Sequence, residues 1–312
     1  MNRVIVSGGT GFIGRALVEE LRRRYPAAEV IPVGSAVVDI ADEPQWFAWL
    51  EALRDTGRAP DHIIHLAALY KAGDWPVHHP ATQFNVNLKI NVNALEGWSR
   101  FFPKAKFTSV LSYCMYPSLP HPHPEEELWG HEPEDYLFAY AMTKKALLIG
   151  QEAYRREHGL QAASVVLPTV YGPGDSFAEN SHVVGALIGK FVRAARGGAP
   201  EVEVWGDGSQ EREFLYVGDA VDGIIAAALG SSEPALNLGT GEAYPIRRLV
   251  EVIRQHAGFG GAIRYNLDRF VGVRSRRLEV SRIAQVLGWQ APTTLEAGLA
   301  HTIDWYAASL DG

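Results

Sequence analysis

Val4-Ile5-Val6-Ser7-Gly8-Gly9-Thr10-Gly11-Phe12-Ile13-Gly14-Arg15-Ala16-Leu17 is the stretch on which the fold turns. Val4–Val6 is a short apolar run of the kind a buried strand carries, and Ile13, Leu17 and Leu21 recur along one helix face. Between them Gly8, Gly11 and Gly14 form a G-x-x-G-x-x-G pattern. The first glycine permits a tight turn, the second lets the backbone approach a pyrophosphate, and the third lets helix pack on strand. The helix N-terminus then offers free N–H groups and a partial positive charge to phosphates. Strand, loop and amphipathic helix in this order predict a dinucleotide site, with Gly8, Thr10, Gly11, Phe12, Ile13 and Gly14 around it.

The alternation continues beyond this unit. Trp46, Leu50 and Leu53 mark a second helix, with Pro44 in its first turn. Ile63–Ala68, Thr108–Leu111 and Val165–Leu167 are or contain further apolar runs. Strand and helix in alternation predict an α/β fold: a Rossmann-like, doubly wound parallel sheet with helices on both faces. The second half is richer in turns, at Gly172-Pro173-Gly174 and Gly197-Gly198-Ala199-Pro200, with helices expected near 183–195, 247–257 and 294–308. The expected division is a dinucleotide-binding domain over 1–172 with a return segment 212–238, and a smaller mixed C-terminal substrate domain over 173–211 and 239–312. The Pro/His segment 117–123 reads as a surface loop.

An NAD site usually carries a carboxylate about 20 residues after the glycines, at the end of the second strand, to hold the ribose 2′-hydroxyl. Val33-Gly34-Ser35 stands there instead. That removes repulsion against a 2′-phosphate and favours NADP, with NAD as the alternative, although no arginine is present to grip the phosphate. Ser35, Asp39 and Ile40 are candidates for the adenosine end, Asp39 being equally readable as a turn residue.

Ligands of open parallel sheets bind at the carboxyl ends of the strands. The glycine loop, Leu66-Ala67-Ala68, Ser112, and Pro168 with Val170 all fall on that edge. Tyr140 and Lys144, at i and i+4, share one helix face. A nearby ammonium lowers a phenol's pKa, which would let Tyr140 protonate a carbonyl oxygen as hydride reaches its carbon.

The bulk composition excludes other classes. The chain has 312 residues, 47% apolar, enough for a substantial core. A net charge of −7 argues against nucleic acid. No apolar run of about 18 residues suggests a membrane span, and no leader pattern precedes the first strand. Cys114 is the lone cysteine, so no internal disulfide can form, and a reducing, cytoplasmic setting is expected. The pairs His78-His79 and His121-x-His123 lack carboxylate or cysteine companions nearby, and no metal site is expected.

The chain resembles the extended short-chain dehydrogenase/reductases, and among them the GDP-L-fucose synthase family of GDP-4-keto-6-deoxymannose epimerase/reductases. Besides Gly8–Gly14 and Tyr140/Lys144, Ser112-Tyr113-Cys114-Met115-Tyr116-Pro117 is similar to that family's Ser-Ser-Cys-x-Tyr-Pro. So are Asn180-Ser181-His182-Val183, Val204-Trp205-Gly206-Asp207-Gly208 and Arg212-Glu213-Phe214, and near the end Leu287-Gly288-Trp289 and Leu295–Leu299. The resemblance spans nearly the whole chain. It implies that Ser112 holds the sugar C4 oxygen and Tyr140 donates the proton. Lys144 would tune Tyr140 and hold the nicotinamide ribose, while Cys114 and His182 form an acid/base pair for epimerisation. It also implies a cofactor contact for Asn87, a nucleoside-diphosphate-sugar substrate held by Asn180, His182, Lys190, Trp205, Arg212 and Arg274, and a homodimer.

The chain also departs from that family. Thr10 and Gly34-Ser35 replace arginines near the cofactor, Lys190 stands where the family has an arginine, and Leu267–Gly272 replaces a Lys-Pro-Asp-Gly-like turn. The nucleotide and sugar are therefore left open. Three other readings remain. A nucleotide-sugar epimerase would oxidise C4 only transiently with tightly bound NAD. A 4,6-dehydratase is disfavoured because Tyr113-Cys114 stands where those enzymes carry Asp-Glu. A non-catalytic dinucleotide sensor would not need the Tyr140/Lys144 pair, which is kept.

Overall fold

The computed structural model describes residues 1–312 apart from 72, 131, 134, 270 and 312. β1 (Arg3–Ser7) is buried along its length and leads through the glycine loop into α1 (Phe12–Arg24). β2 (Glu29–Val33), α2 (Glu43–Asp55) and β3 (His62–His65) follow. The Asp42 carboxylate caps α2 by accepting from the Gln45 N–H at 3.1 Å, and Pro44 sits in the first turn, where its missing N–H costs no helical bond. A single-turn α3 (Trp75–His78) precedes the 22-residue α4 (Pro80–Phe101). β4 (Lys106–Ser112), α5 (Phe138–His158) and β5 (Ala162–Leu167) continue the alternation.

Shorter elements then appear: β6 (Thr169–Tyr171), α6 (Val183–Gly197), β7 (Glu201–Trp205) and β8 (Glu211–Tyr216). α7 (Val217–Gly230), β9 (Leu236–Asn237), β10 (Ala243–Pro245) and α8 (Ile246–His256) come next. The chain ends with β11 (Ala262–Asn266), α9 (Ser281–Leu287) and α10 (Leu295–Ser309). The three helices expected in the second half correspond to α6, α8 and α10.

The main sheet has the order β2-β1-β3-β4-β5-β9, every pair parallel. One face packs on α2, α4 and α5 through Trp46, Trp98, Phe107 and Leu147, the other on α1 and α7 through Leu17, Leu21, Ile224 and Ile225. This is the doubly wound architecture that the alternation of runs predicts. A three-stranded sheet β10-β8-β6 and a parallel pair β11-β7 make up the smaller part, around a third core that includes Phe191, Leu249 and Leu299. The expected return segment 212–238 divides: β8 pairs with β6 in the small sheet, whereas α7 and β9 belong to the large one. Among the described residues, no helix is long and apolar enough to cross a membrane.

The segment 117–123 is not wholly at the surface. His123 is fully buried because its loop runs beside the chain at 277–279: its N–H donates to the Arg277 carbonyl at 3.0 Å, and the Glu279 N–H donates back to its own carbonyl at 3.0 Å. Histidine and proline composition carries no trace of this long-range pairing.

Two buried polar arrangements fix the parts that meet at the cleft. Ser7 Oγ lies 2.6 Å from His65 Nδ1, His65 Nε2 lies 3.4 Å from Asn91 Oδ1, and Asn91 Nδ2 donates to the Thr143 carbonyl at 2.9 Å. β1, β3, α4 and α5 are thus tied by a string of side chains that ends one residue from Lys144. In the smaller part, the buried Glu213 carboxylate accepts three backbone N–H bonds: Leu278 at 2.6 Å, Thr240 at 2.7 Å and Gly241 at 3.0 Å. Glu213→Gln turns an amide NH2 toward at least one of those donors. It is expected to cost about 1–3 kcal/mol, read as a lower urea midpoint at unchanged slope. An unaltered midpoint would show that the three bonds are dispensable.

Candidate active site

The glycine loop works as its spacing requires. A Cβ on Gly14 would stand 2.1 Å from the Gly8 carbonyl oxygen, and one on Gly8 would stand 2.8 Å from the Ala67 nitrogen. Gly8 also has a φ of 74°. Gly11 at the N-cap of α1 provides no side-chain cap, so the first N–H groups of the helix are free for a phosphate. These residues fit a dinucleotide: a close-approach cradle beside an uncapped helix N-terminus. Gly14→Ala forces a methyl group against backbone that cannot swing aside. Its expected cost is about 3 kcal/mol, with weakened cofactor binding; denaturant titration and cofactor fluorescence check both.

A cavity of about 380 Å³ opens beside the loop at the carboxyl ends of the strands. Gly8, Gly11, Phe12, Ile13, Gly14, Leu66, Ala68, Pro168 and Val170 line it, and so do Ser112, Cys114, Tyr140, Lys144 and His182. The five residues singled out for catalysis therefore share one space with the cofactor loop. Thr10, Ser35, Asp39, Ile40, Ala67 and Asn87 do not line it. Thr10 packs on Gly34, where a Cβ would meet Thr10 Oγ1 at 2.1 Å. Ser35 and Asp39 are exposed, and Asp39 Oδ1 accepts from the Ala41 N–H at 2.9 Å, as a turn residue does. Ile40 is core.

Asn87 departs from its expected cofactor role. Its Oδ1 accepts from the Leu69 N–H at 2.7 Å, and its Nδ2 donates to the carbonyls of Leu69 at 2.9 Å and Gln83 at 2.8 Å. It is a clasp on the loop after β3, with its polar atoms already taken.

Ser112 ends β4 and caps the short 3-10 turn Tyr113–Met115, its Oγ accepting from the Cys114 N–H at 3.3 Å. This cap turns Ser112 and Cys114 into the cavity together. Lys144 Nζ donates to the Val110 carbonyl at 2.8 Å and lies 5.7 Å from the centre of the Tyr140 ring. Burial lowers the Lys144 pKa to about 8, with Cys114 pulling the other way. Burial pushes the Tyr140 phenol well above its ordinary range, with Cys114 and Tyr70 adding to the rise. The expected lowering by Lys144 is thus not what the cleft shows; desolvation wins. A phenol that keeps its proton is the form a donor needs, and a nearby ammonium can still stabilise the phenolate left behind. Burial also raises the Cys114 thiol, against which Ser112, Arg276 and Lys144 act.

A second hollow of about 220 Å³ adjoins the first and shares Tyr70, Tyr136, His182 and Arg212 with it. Lys190 and Trp205 line it, with the Lys190 ammonium and the Arg269 guanidinium each 5.2 Å from the indole centre. The Trp205 Nε1 is buried without a partner among the described residues. Arg212 donates to the carbonyls of Glu211 at 2.7 Å and Val271 at 3.0 Å. Asn180 and Arg274 are exposed and line neither hollow. Arg276 lines the larger one instead: it is 1% exposed, sits 5.4 Å over the Tyr113 ring, and leaves a buried Nη2 without a partner. Among the described residues, no carboxylate pairs with Arg212 or Arg276.

Tyr70, Tyr136 and Arg276 escaped the sequence reading. None is marked by periodicity: Arg274, Arg276 and Leu278 share one parity, yet Arg274 is exposed and Arg276 buried. Of the Leu267–Gly272 stretch, Phe270 lies outside the described residues.

The His121/His123 pair does have a carboxylate companion, contrary to expectation. Glu127 Oε1 lies 2.8 Å from His121 Nε2, and Glu127 Oε2 lies 2.7 Å from His123 Nδ1. The 3-10 turn Glu125–Trp129 folds Glu127 back onto the loop. His123 Nε2 is buried with no partner among the described residues. A metal on Nδ1 would oblige that nitrogen to carry a proton with nowhere to donate it. The triad is therefore read as a hydrogen-bonded brace.

Comparison with known proteins bears on the cleft as a whole. The family model described as "NAD dependent epimerase/dehydratase family" matches residues 4–239. GDP-L-fucose synthase 1 of Arabidopsis thaliana is 33% identical over 97% of this chain and 93% of its own. GDP-L-fucose synthase of Escherichia coli is 31% identical, covering 99% of this chain and 98% of its own. The crystal structure of a GDP-L-fucose synthetase from Naegleria fowleri bound to NADP is 25% identical. It superposes with a TM-score of 0.85 over 99% of this chain and 95% of that one. With its glycine loop, strand-end serine and Tyr140/Lys144 helix on one cleft, this chain belongs to the NAD dependent epimerase/dehydratase family.

Proposed function

We propose that the chain is an NADPH-dependent reductase of a GDP-linked 4-keto-6-deoxy sugar, and that it also epimerises that sugar next to its carbonyl. The observation that carries this reading is the convergence of Ser112, Cys114, Tyr140, Lys144 and His182 on the cavity beside the glycine loop. NADP as cofactor and GDP as carrier are supported by the names of the relatives above and by the missing carboxylate after β2.

When bound, the reduced nicotinamide supplies a hydride to C4 of the sugar. The chain does the rest. Ser112 Oγ and the Tyr140 hydroxyl hold the C4 oxygen; Tyr140 gives it a proton, and Lys144 stabilises the resulting phenolate. A hydrogen on a carbon beside the carbonyl is acidic because the same two hydroxyls stabilise the enolate. Cys114 and His182 remove a proton from one face and return one to the other, so that charge and atoms balance. Arg212 and Arg276, cationic and without carboxylate partners among the described residues, suit the diphosphate. The second hollow, with the Trp205 indole and two cations 5.2 Å from its centre, suits the base.

The test is net NADPH oxidation with GDP-4-keto-6-deoxymannose, compared with the UDP- and dTDP-linked analogues, together with NMR of the product sugar. Stoichiometric oxidation with the GDP-linked sugar is expected. Turnover without net oxidation would point instead to transient oxidation at C4, and inactivity with all three sugars would overturn the reading.

A further inference from the structure

His182 sits at the N-cap of α6, a position where a side chain commonly bonds to the first free N–H groups, yet its imidazole makes no such bond. It is engaged elsewhere. The Tyr70 ring stacks on it, with centroids 5.3 Å apart and planes 22° apart. The same Tyr70 ring packs against Tyr140 at 4.9 Å. At the edge of the imidazole, Asp175 Oδ1 lies 4.0 Å from His182 Nδ1. The Asp175 side chain is only 5% exposed, and its Oδ2 is buried without a partner among the described residues.

Neither neighbour belongs to a motif. Tyr70 follows Leu69, which Asn87 clasps through both backbone groups. Asp175 closes the turn after β6, where Gly174 has a φ of 84° and the Asp175 N–H donates to the Gly172 carbonyl at 3.2 Å. Two loops from different strands of the molecule therefore meet at one imidazole. Asp175 Oδ1 also accepts from the Ser176 N–H at 2.7 Å, and the negative charge of the buried carboxylate favours a proton on the ring nitrogen nearest it. The other nitrogen is then the one with a lone pair to offer.

We propose that Tyr70 and Asp175 are positioning residues that hold His182 between them, Tyr70 on its face and Asp175 at its Nδ1 edge, so that Nε2 is the atom that exchanges a proton with the sugar. This rests on the reading of His182 as half of the acid/base pair. The consequence is that the ratio of epimerisation to reduction depends on these two residues, Tyr70 reaching the reduction step only through its packing on Tyr140.

The experiment uses the full chain with 15N- and 13C-labelled histidine, the His182 signals being assigned by their absence in His182→Gln. In the native chain the Nδ1–H tautomer is expected. Tyr70→Ala removes the ring current and moves the His182 Cε1–H signal downfield, whereas Tyr70→Phe leaves it in place. Asp175→Ala shifts the ring toward the Nε2–H tautomer. In parallel, deuterium incorporated from heavy water per NADPH oxidised falls about tenfold or more in Tyr70→Ala and Asp175→Ala, and is held by Tyr70→Phe. A merely structural defect would slow both processes together and leave that ratio unchanged. An unchanged ratio or unchanged His182 signals in either alanine variant overturns the proposal. If the native chain incorporates no deuterium, the acid/base reading of His182 fails, while the resonance measurements still decide whether the two residues hold the ring.

Discussion

Tyr140→Phe is expected to lower the rate of NADPH oxidation by a GDP-linked 4-keto sugar about a thousandfold, with cofactor affinity nearly unchanged. The substitution removes one oxygen and nothing else. The ring stays packed against Tyr70, and Lys144 keeps its bond to the Val110 carbonyl, so the cofactor side of the cleft is undisturbed. What disappears is the only phenol on the Lys144 face of α5 and the proton it carries. Burial keeps that proton in place at neutral pH, which makes Tyr140 a donor at rest. Water cannot readily substitute, because a group held at the carbonyl oxygen has no entropy left to lose. Stopped-flow absorbance measures the rate and fluorescence quenching the affinity. A loss smaller than about tenfold would remove Tyr140 from the proton-transfer step.

Cys114→Ser is expected to act on the other half of the reaction. Exchange of the sugar's carbon-bound hydrogens with heavy water should fall at least about a hundredfold, while NADPH is still consumed and an unepimerised product accumulates. Serine fits the space and keeps the backbone bond to Ser112, but its hydroxyl is far less acidic than a thiol. Cys114 is already raised by burial and relies on Ser112, Arg276 and Lys144 to bring it back. Weakening its acidity further slows proton exchange on the face that Cys114 is proposed to serve. Mass spectrometry of the product separates the two halves: deuterium incorporation at the native level in Cys114→Ser would exclude the thiol.

What the sequence made legible was local. β1, the glycine loop and α1 are contiguous, and their steric demands are met residue by residue at Gly8 and Gly14. Tyr140 and Lys144 are one helical turn apart, so their shared face follows from helix geometry. His182 and Cys114 lie in short motifs. The rest depends on chain crossings that no periodicity records. Tyr70 and Asp175 come to His182 from loops after β3 and β6. Arg276 is buried and Arg274 exposed although strand-like alternation would put both on the Leu278 side, so the path of the connection and not its periodicity brings Arg276 into the cleft. The family resemblance implies a cofactor contact for Asn87, yet its side chain is bonded to three backbone groups that the resemblance does not reveal. The Tyr140/Lys144 spacing likewise reveals a charge but not the dryness around it, and burial pushes the phenol upward.

The side-chain string from Ser7 through His65 and Asn91 to Thr143 has a consequence for how such a protein can change over time. It bolts the helix that carries Tyr140 and Lys144 to the centre of the large sheet, while the arginines and the tryptophan proposed to meet the rest of the ligand ride on separate strands and on the 267–278 connection. Recognition and chemistry are thus mounted on different supports. Grafting that connection from a relative with another preference should retune the choice of ligand and leave the timing of hydride delivery intact, so new substrates can be adopted without rebuilding the engine.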